Sequence, residues 1–300
     1  MKKLNSITVI IVTYCTKKNI LLNCLKSIDK NVKVIIVENS KKFVKEEYFL
    51  KRFSNLKILC SGDNLGYAAG NNFGLLNVKT QYALILNPDI ICDVNFFKNL
   101  NKLLNKKKIF SIIGCQYLHD KIYMPAGFFN KKKNTVFHNN FFKKKKTSLT
   151  KVDWVTGCSM LVNLKKFKDK NIFDINFFLF FEEFDLCRSV IDKGDSVYTS
   201  SNLLVDHLHS KGSIGADNNL ETTAIKIRNW HWAWSLFYFY KKKHNYFYAF
   251  FKTFSKLLKS LFLIMYFIII PDQNNKIRYL YRFFGLLSAI IGRRSYYRMK

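Results

Sequence analysis

Tyr82-Ala83-Leu84-Ile85-Leu86-Asn87-Pro88-Asp89 has the pattern of a buried strand that ends on a carboxylate. Its apolar run is typical of a strand that is covered on both faces of a sheet. Pro88 cannot donate a hydrogen bond to a neighbouring strand, so we predict that the strand stops there. Asp89 then lies at the carboxyl end of the sheet, where open α/β folds hold ligands, and it suits a hard cation that carries a diphosphate. The alternative is that Asn-Pro-Asp forms only a turn.

The segments before this strand alternate between strand and helix. Strands are predicted at residues 7–14, 32–37 and 56–60, and helices at residues 19–29, 41–53 and 67–76. Because the alternation repeats four times, the N-terminal third is predicted to be a doubly wound, mostly parallel sheet that is flanked by helices.

The chain downstream of Asp89 is predicted to continue in the same α/β style. A helix is expected at 96–104, strands at 109–117 and 152–162, and a helix at 186–192 that Gly194 ends. Periodicity is lost between residues 119 and 151, where lysine clusters alternate with phenylalanines. This segment is interpreted as a long surface excursion or a β-hairpin.

Composition bounds the function. The 300 residues are 49% hydrophobic, which supports a full core, and the formal net charge is +30. Such an excess favours anionic partners, namely nucleic acid, acidic lipid or phosphorylated substrates, although an AT-rich genome also enriches lysine. The seven cysteines form no C-x-x-C pair, so zinc is not expected and a reducing cytosol is the natural compartment.

Polar side chains follow several of the predicted strands. No G-x-G-x-x-G, P-loop or G-x-S-x-G motif is present, which disfavours nicotinamide dinucleotides, P-loop chemistry and serine hydrolysis. The polar residues that remain near strand ends are Thr13, Tyr14, Glu38, Asn64, Asn71 and Asp89. In a parallel sheet these converge on one edge, where aromatic and amide groups beside a carboxylate suit a nucleobase, a ribose and a metal-bound diphosphate.

Five blocks in order make the sequence resemble the inverting, nucleotide-sugar-dependent glycosyltransferases of family 2, which have the GT-A fold. The blocks are residues 10–14 (IIVTY), 34–40 (VIIVENS), 64–72 (NLGYAAGNN), 86–89 (LNPD) and, further on, 155–162 (VTGCSMLV) with 178–188 (FLFFEEFDLCR). The resemblance covers roughly residues 6–215 and is similar to the rhamnosyltransferase-type branch. It implies dTDP-rhamnose as the donor, with other dTDP-, UDP- and GDP-sugars open.

The resemblance also implies roles for individual residues on the donor side. It gives Thr13, Tyr14 and Glu38 contacts to the base and ribose. It implies that Asn64, Gly66 and Asn71 line the loop at the donor site. Asn87 and Asp89 stand at the family's D-x-D positions, so Asp89 is expected to bind Mg²⁺ or Mn²⁺ and Asn87 to contact sugar or nucleotide.

On the acceptor side, Glu183 stands where the family has its general base, with Glu182 as the alternative. Asp185 is expected either to cap the following helix or to orient the base. Trp154 either shapes the acceptor pocket or is an ordinary core residue. One of His207 and His209 is expected near the metal, and the spacing leaves open which one.

The C-terminal region, residues 216–300, has a different character. It is rich in tryptophan, phenylalanine and tyrosine, and Lys252, Lys256 and Lys259 recur at helical spacing within an apolar segment. The unbroken apolar run at 261–270 is shorter than the ~20 residues that a spanning helix needs. We therefore predict an in-plane helix on an anionic membrane surface, with a core helix that has a solvated basic face as the alternative.

These inferences combine into one prediction with two rivals. Residues 1–215 are predicted to be a GT-A catalytic domain, with a nucleotide-binding half (1–90) and an acceptor half (91–215), followed by a helical membrane-surface extension (216–300). The chain is expected to be peripheral at the inner face of the plasma membrane, to transfer sugar to a lipid-linked glycan and to bind no nucleic acid. The rivals are a basic nucleic-acid-binding protein and an inactive membrane-surface relative.

Overall fold

The computed structural model describes residues 4–106, 109–118, 126–129, 136–138, 149–208 and 218–298. The strands of these residues are β1 Ile7–Thr13, β2 Lys33–Glu38, β3 Leu56–Cys60, β4 Tyr82–Leu86, β5 Ile90–Cys92, β6 Ile112–Leu118, β7 Ala126–Phe129, β8 Val136–His138, β9 Leu149–Val152, β10 Trp154–Val155, β11 Ser159–Asn163 and β12 Val197–His207. The helices are α1 Lys18–Lys26, α2 Glu46–Arg52, α3 Gly66–Leu76, α4 Phe96–Asn105, α5 Glu182–Asp192, α6 Asn218–Lys243, α7 Tyr246–Ile269 and α8 Gln273–Ile290.

Nine of the described strands form one sheet. Eight of them follow the order β3-β2-β1-β4-β11-β6-β12-β5, and β9 pairs with β12 beside this path. The first four are parallel, because β1 pairs parallel with β2 and β4, and β2 pairs parallel with β3. This part has the doubly wound arrangement that the alternating sequence predicts. From β11 onward the sheet is mixed, with β11 antiparallel to β4 and β6.

One segment differs from its prediction, and a second agrees with one of two predicted alternatives. The single strand expected at 152–162 is three strands, β9, β10 and β11, which pair with β12, β7 and β4, respectively. A turn at 156–158 separates the last two, because Gly157 and its neighbours leave the extended conformation. Within the 119–151 segment, β7 and β8 pair antiparallel, as the β-hairpin alternative predicts.

The core of the sheet is covered by amphipathic helices. On α4, Phe96, Leu100, Leu103 and Leu104 are buried at the spacing that puts side chains on one helix face. Leu21 of α1 is buried in the same apolar cluster. Burial of a side chain of this size stabilises the fold by roughly 1.5–3 kcal/mol, so this cluster holds β4 rigidly behind Asp89.

The chain divides into two compact units. The first comprises Met1–Leu65, Ala69–Phe173 and Glu183–Ser213, and the second comprises Gly66–Ala68, Asp174–Glu182 and Ile214–Lys300. The first unit contains the nine-stranded sheet. The second is built on α6, α7 and α8, and α6 and α8 approach so closely that a Cβ at Gly285 would collide with the backbone carbonyl of Trp230.

Helix α7 turns a row of large apolar side chains to solvent. Phe251, Phe262 and Ile269 are 73%, 67% and 81% exposed, whereas Thr253 and Ser260 on the opposite side are buried. Among the helices that the structure describes, none combines the length and the apolar character that crossing a bilayer requires. The large apolar side chains at 251, 262 and 269 form one outward face of α7.

Candidate active site

The carboxyl end of β4 presents Asp89 as the sequence predicts. The strand ends at Leu86, Pro88 interrupts it, and β5 begins at Ile90. The Asn87 backbone N–H donates to the Cys158 carbonyl oxygen at 2.8 Å, which ties this turn to the start of β11. Asp89 is only 3% exposed. The segment therefore forms a turn and also places a buried carboxylate at the end of β4.

His207 is the histidine that lies beside Asp89. Its Nε2 is 3.4 Å from Oδ1 of Asp89. The sheet register produces this approach, because β12 pairs antiparallel with β5 and places His207 opposite Ile90. The Leu208 N–H also donates to the Asp89 carbonyl oxygen at 3.0 Å. His209, the other candidate, lies outside the described residues.

The buried Tyr117 lies beside His207 and contacts the partly exposed Thr156 and Cys158, and sequence reasoning missed this cluster. The Tyr117 hydroxyl hydrogen-bonds Thr156 Oγ1 at 2.7 Å and contacts the Cys158 thiol, and its ring lies 5.4 Å from the His207 ring. Burial raises the pKa of Tyr117 well above its ordinary value, so the phenol stays protonated. The signal that could have found it is a polar tip near the end of β6, at the edge where the other polar residues gather.

Glu183 and Asp89 both act on the same thiol. Burial chiefly, together with the negative charges of Glu183 and Asp89, raises the pKa of Cys158 to about 11. The Gly157 N–H donates to the Glu183 carboxylate, and the Cys158 carbonyl oxygen accepts from the Asn87 N–H at 2.8 Å. The turn at 156–158 therefore connects Glu183 to the segment that carries Asp89.

The environment of Glu183 favours its protonated form. The residue is partly exposed, but its Oε2 is buried. Burial raises the pKa of Glu183 to about 7, against hydrogen bonds from the backbone around Gly157 and Phe184 that lower it. A carboxyl group with a pKa near neutrality can accept and release a proton at physiological pH.

The other acceptor-side candidates have different surroundings. Glu182 begins α5, is buried and belongs to the second unit, whereas Asp185 lies in the first turn of α5 and is partly exposed. Trp154 is fully buried, and its ring packs edge-on against Phe184 with centroids 5.0 Å apart. A side chain without exposed surface can shape a pocket only from behind, through Phe184.

Polar groups meet at the ends of β1 and β2 as well. The Thr13 hydroxyl donates to Glu38 Oε2 at 2.6 Å, and Tyr14 hydrogen-bonds the Asn64 side chain. Burial raises the pKa of Glu38, while the hydrogen bonds from Thr13 and Ser40 lower it. Four of the predicted donor-side residues thus form two hydrogen-bonded pairs at one edge of the sheet.

Helix α3 supplies the remaining donor-side candidates. Asn71 is fully buried within the helix. Gly66, at the first helical position, has a φ of +81°, and a Cβ there would collide with Phe178 of the same unit. The neighbouring Tyr67 N–H donates to the Phe178 carbonyl oxygen at 2.8 Å. Glycine is therefore required at 66 for backbone conformation and for space.

The loop that leads into α5 carries backbone strain. Phe180 and Phe181 have φ values of 69° and 70°, a left-handed conformation that costs a bulky residue roughly 1–3 kcal/mol. Within the second unit, the Ser235 hydroxyl donates to the Leu179 carbonyl oxygen at 2.9 Å, and Lys242 Nζ donates to Asp174 Oδ2 at 2.7 Å. These contacts offset the strain immediately before Glu182 and Glu183.

The donor atoms at Asp89 and His207 fit a divalent cation that a diphosphate also binds. Within the described ranges, no group of three or more His, Cys, Asp or Glu side chains is arranged to hold a metal. Cations that work on phosphates are usually held by one or two protein ligands, with phosphate and water oxygens completing the shell. A carboxylate with an imidazole is such an incomplete set and suits Mn²⁺ as well as Mg²⁺.

A family model described as glycosyl transferase family 2 matches residues 8–169, which is more than half of the chain. The chain belongs to glycosyl transferase family 2. The match includes the ends of β1, β2 and β4, and thus Thr13, Glu38 and Asp89. The predicted enzyme class, a glycosyltransferase, is confirmed. The family match favours this class over the alternative prediction of a nucleic-acid-binding protein.

Two curated relatives support this family 2 assignment. The rhamnosyltransferase WbbL of Escherichia coli K12 is 27% identical over 184 residues, which are 56% of this chain and 69% of WbbL. The low-salt glycan biosynthesis hexosyltransferase Agl10 of Haloferax volcanii is 22% identical over 216 residues, 69% of this chain and 68% of Agl10. The family 2 chain therefore resembles one relative named as a rhamnosyltransferase and one named as a hexosyltransferase.

Solved structures confirm the GT-A fold of the family 2 chain. GalNAc-T7, solved with UDP, GalNAc and Mn²⁺, superposes with a TM-score of 0.55 at 12% identity, covering 79% of this chain. The match spans only 51% of the GalNAc-T7 chain. The mannosyltransferase PcManGT of Pyrobaculum calidifontis, solved with GDP-Man and Mn²⁺, gives 0.52 at 11% identity and covers 95% of this chain and 86% of its own.

Proposed function

We propose that this glycosyltransferase moves a hexose from a nucleotide-sugar donor to a hydroxyl of a growing, lipid-linked surface glycan, with inversion at the anomeric carbon. The observation that carries the proposal is the turn at 156–158, because the Gly157 N–H donates to the Glu183 carboxylate and the Cys158 carbonyl oxygen accepts from the Asn87 N–H at 2.8 Å. This turn connects a proton acceptor of pKa about 7 with the segment that carries Asp89, the carboxylate proposed to bind the cation. Inverting transfer needs both groups together, one near the leaving diphosphate and one near the attacking hydroxyl.

The donor nucleotide is proposed to lie along the ends of β1 and β2. Thr13, Tyr14 and Glu38 would hold the base and ribose through the hydrogen-bonding edge that they form. Asn64, Gly66 and Asn71 would border the donor, and Asn87 would contact the sugar or nucleotide. dTDP-rhamnose is the first donor to test, because WbbL is a rhamnosyltransferase, and UDP- and GDP-sugars follow.

Asp89 and His207 are proposed to hold Mn²⁺ or Mg²⁺. A cation bound there would neutralise the charge that develops on the leaving nucleoside diphosphate. Both similar solved transferases contain Mn²⁺, which supports this choice. Tyr117 would fix the orientation of the His207 ring, which lies 5.4 Å from its own.

Glu183 is proposed as the general base that takes the proton of the acceptor hydroxyl. In its ionised form the carboxylate accepts this proton as the hydroxyl oxygen attacks the anomeric carbon from the face opposite the leaving group. Glu182, which is buried at the helix start, is the second candidate. Asp185 is proposed to orient the base or to stabilise the first turn of α5, and Trp154 to support Phe184 from behind.

The region 216–300 is proposed to bind an anionic membrane surface, and residues 1–215 to form the catalytic domain. The outward apolar face of α7 and the high positive charge support this division. The enzyme would then work as a peripheral protein at the inner face of the plasma membrane, where lipid-linked acceptors are accessible. The charge of +30 would serve this surface rather than nucleic acid.

A thermal-shift screen followed by a transfer assay tests the proposal. One of dTDP, UDP and GDP should raise the unfolding temperature in the presence of Mn²⁺ or Mg²⁺ and not in excess EDTA. The matching nucleotide sugar should then release its diphosphate when a glycan acceptor is added. An inactive relative would show no metal-dependent stabilisation by any of the three, and a nucleic-acid-binding protein would instead bind RNA with a steep salt dependence.

A further inference from the structure

A cavity of about 130 Å³ lies among α6, α7 and α8, within the second unit. It is lined by Trp232, Ala233, Leu236, Lys256, Lys259, Ser260, Tyr279, Arg282 and Leu286. Its volume suffices for a hydrated phosphate group. Three of its lining side chains are cationic and none is acidic, so its chemistry is that of an anion site.

Two of the cations come from α7 and one from α8. Lys256 and Lys259 are exposed and three residues apart, so they lie on the same side of their helix. The Arg282 guanidinium lies 5.0 Å from the Trp232 ring, and its Nε donates to Asn229 at 2.8 Å. That bond and the stacking orient the guanidinium before any ligand arrives.

Among the residues that the structure describes, no carboxylate forms an ion pair with any of these three cations. The sequence from Thr222 to Arg298 contains a single acidic residue, Asp272, which caps α8 and does not line the cavity. Converging uncompensated cations repel one another, and a bound dianion would relieve that repulsion.

Lys259 lies between the cavity and the outward apolar face of α7. Ser260 lines the cavity from the buried side of the helix, whereas Phe262, three residues after Lys259, neighbours it on the apolar face. The face extends from Phe251 to Ile269, roughly 27 Å at 1.5 Å per residue, which is a surface for acyl or isoprenoid chains. A soluble phosphate would not contact the apolar face. A phospholipid would place its phosphate in the cavity and its chain on that face.

We propose that Lys256, Lys259 and Arg282 form a site for the phosphate group of a lipid whose chain lies along the exposed face of α7. The site rests on the proposed membrane-surface function and gives it a specific ligand class, a phosphate monoester or diphosphate on a hydrophobic tail. Arg282 and the lysines donate charge-assisted hydrogen bonds to the phosphate oxygens. Ser260 and Trp232 line the wall beside them.

Paired vesicles test the site apart from general attraction to negative charge. Phosphatidylcholine vesicles would carry either phosphatidic acid or oleate at matched surface potential. The pocket variant is Lys256→Gln with Lys259→Gln on α7. The matched control is Lys252→Gln on α7 with Arg278→Gln on α8, which removes the same number of charges from surface outside the cavity. Each basic residue near an anionic surface contributes roughly fivefold in binding, so both variants should lose equally on oleate vesicles.

The wild type and the control variant should bind phosphatidic acid vesicles at least tenfold more tightly than oleate vesicles. The pocket variant should bind both about equally. An identical preference in all three proteins, or none in the wild type, would overturn the proposal. So would a dimer that buries α7 and binds no vesicle, as seen by light scattering.

A soluble arm separates the lipid from free phosphate. Inorganic phosphate or pyrophosphate at 1 mM should displace the wild type from phosphatidic acid vesicles by less than twofold. Complete displacement at that concentration would show that the site takes the free ion and would overturn the lipid assignment. Because none of these measurements needs turnover, a failed transfer assay and a failed lipid site remain distinguishable.

Discussion

Replacing Glu183 by Gln should abolish turnover and stabilise the fold at the same time. Gln keeps the shape of the side chain but cannot accept a proton. General-base assistance is worth about 10²–10⁴ in rate, which corresponds to roughly 3–5 kcal/mol of the activation barrier. Donor binding should be unchanged, since the base faces the acceptor. Diphosphate release under saturating donor measures turnover. Calorimetric titration of the donor in the presence of Mn²⁺ measures donor binding.

The stability effect follows from the raised pKa of Glu183. The shift from 4.5 to about 7 means that the folded protein holds this proton more tightly than the unfolded chain. The contribution of Glu183 to the free energy of unfolding must therefore fall as pH rises from 4.5 to 7, and it stays low above pH 7. The shift corresponds to about 3 kcal/mol at full burial, and partial exposure lowers it to about 1–3 kcal/mol.

Glu183→Gln does not lose stability in this way, because the amide side chain does not ionise between pH 4 and pH 8. The variant should unfold several degrees above the wild type at pH 8 and at nearly the same temperature at pH 4. Wild-type kcat/KM should rise with pH through about 7, and the residual activity of the variant should lack that limb. Glu182→Gln serves as the neighbouring comparison and should keep turnover if Glu183 is the base.

Two results would refute this reasoning. Wild-type turnover in Glu183→Gln, with loss in Glu182→Gln, would move the base to the preceding residue. A variant that is inactive but equally destabilised at pH 4 and pH 8 would show that the side chain serves structure rather than proton transfer.

The remaining predictions concern the metal, the nucleotide and the helical unit. Asp89→Asn should remove the Mn²⁺-dependent part of the thermal stabilisation by nucleoside diphosphate, about 2.7 kcal/mol at a hundredfold excess over Kd, while Asp93→Asn keeps it; equal shifts in both would contradict the assignment. Glu38→Gln should raise the donor KM about tenfold or more at unchanged kcat, as loss of a hydrogen bond to a charged group implies, and Glu47→Gln should not; a kcat defect alone would argue against a nucleotide contact. Gly285→Ala should destabilise the protein by about 1–3 kcal/mol in thermal unfolding, because its methyl group would collide with the backbone of α6, and an unchanged transition would rule that contact out.

Local patterns predicted the scaffold of the donor side. The apolar run before Pro88 and the alternation of strand and helix identify β4 and its parallel neighbours, because burial on two faces leaves a direct trace in sequence. The position of Asp89 at a strand end follows from the same trace. Thr13 and Glu38 were predicted to meet because adjacent parallel strands end at one edge, and they do at 2.6 Å.

Pairing between strands that are distant in sequence brings together site residues that local sequence patterns do not predict to meet. His207 reaches Asp89 because β12 pairs antiparallel with the short strand β5, and no spacing in the sequence encodes that register. The same applies to Tyr117 and Cys158, which are far apart in sequence and touch through the order of β6 and β11. The three-strand division of 152–162 reflects three different partners rather than any change in apolar character.

The pKa of Glu183 also depends on tertiary burial. Its sequence neighbours are Glu182 and Phe184, which do not distinguish a buried carboxylate from an exposed one. For α7 the spacing of Lys252, Lys256 and Lys259 predicted a basic side correctly, but only the packing of α6 and α8 shows that the basic side borders a cavity.

Anomalous diffraction from crystals grown with Mn²⁺ and the stabilising nucleoside diphosphate tests the central claim most directly. The account predicts a manganese peak within about 2.5 Å of an Asp89 carboxylate oxygen, with His207 beside it, the diphosphate completing the coordination and the Glu183 carboxylate in the same cleft. A nucleotide bound with its manganese away from Asp89, or in a cleft that Glu183 does not line, would contradict it.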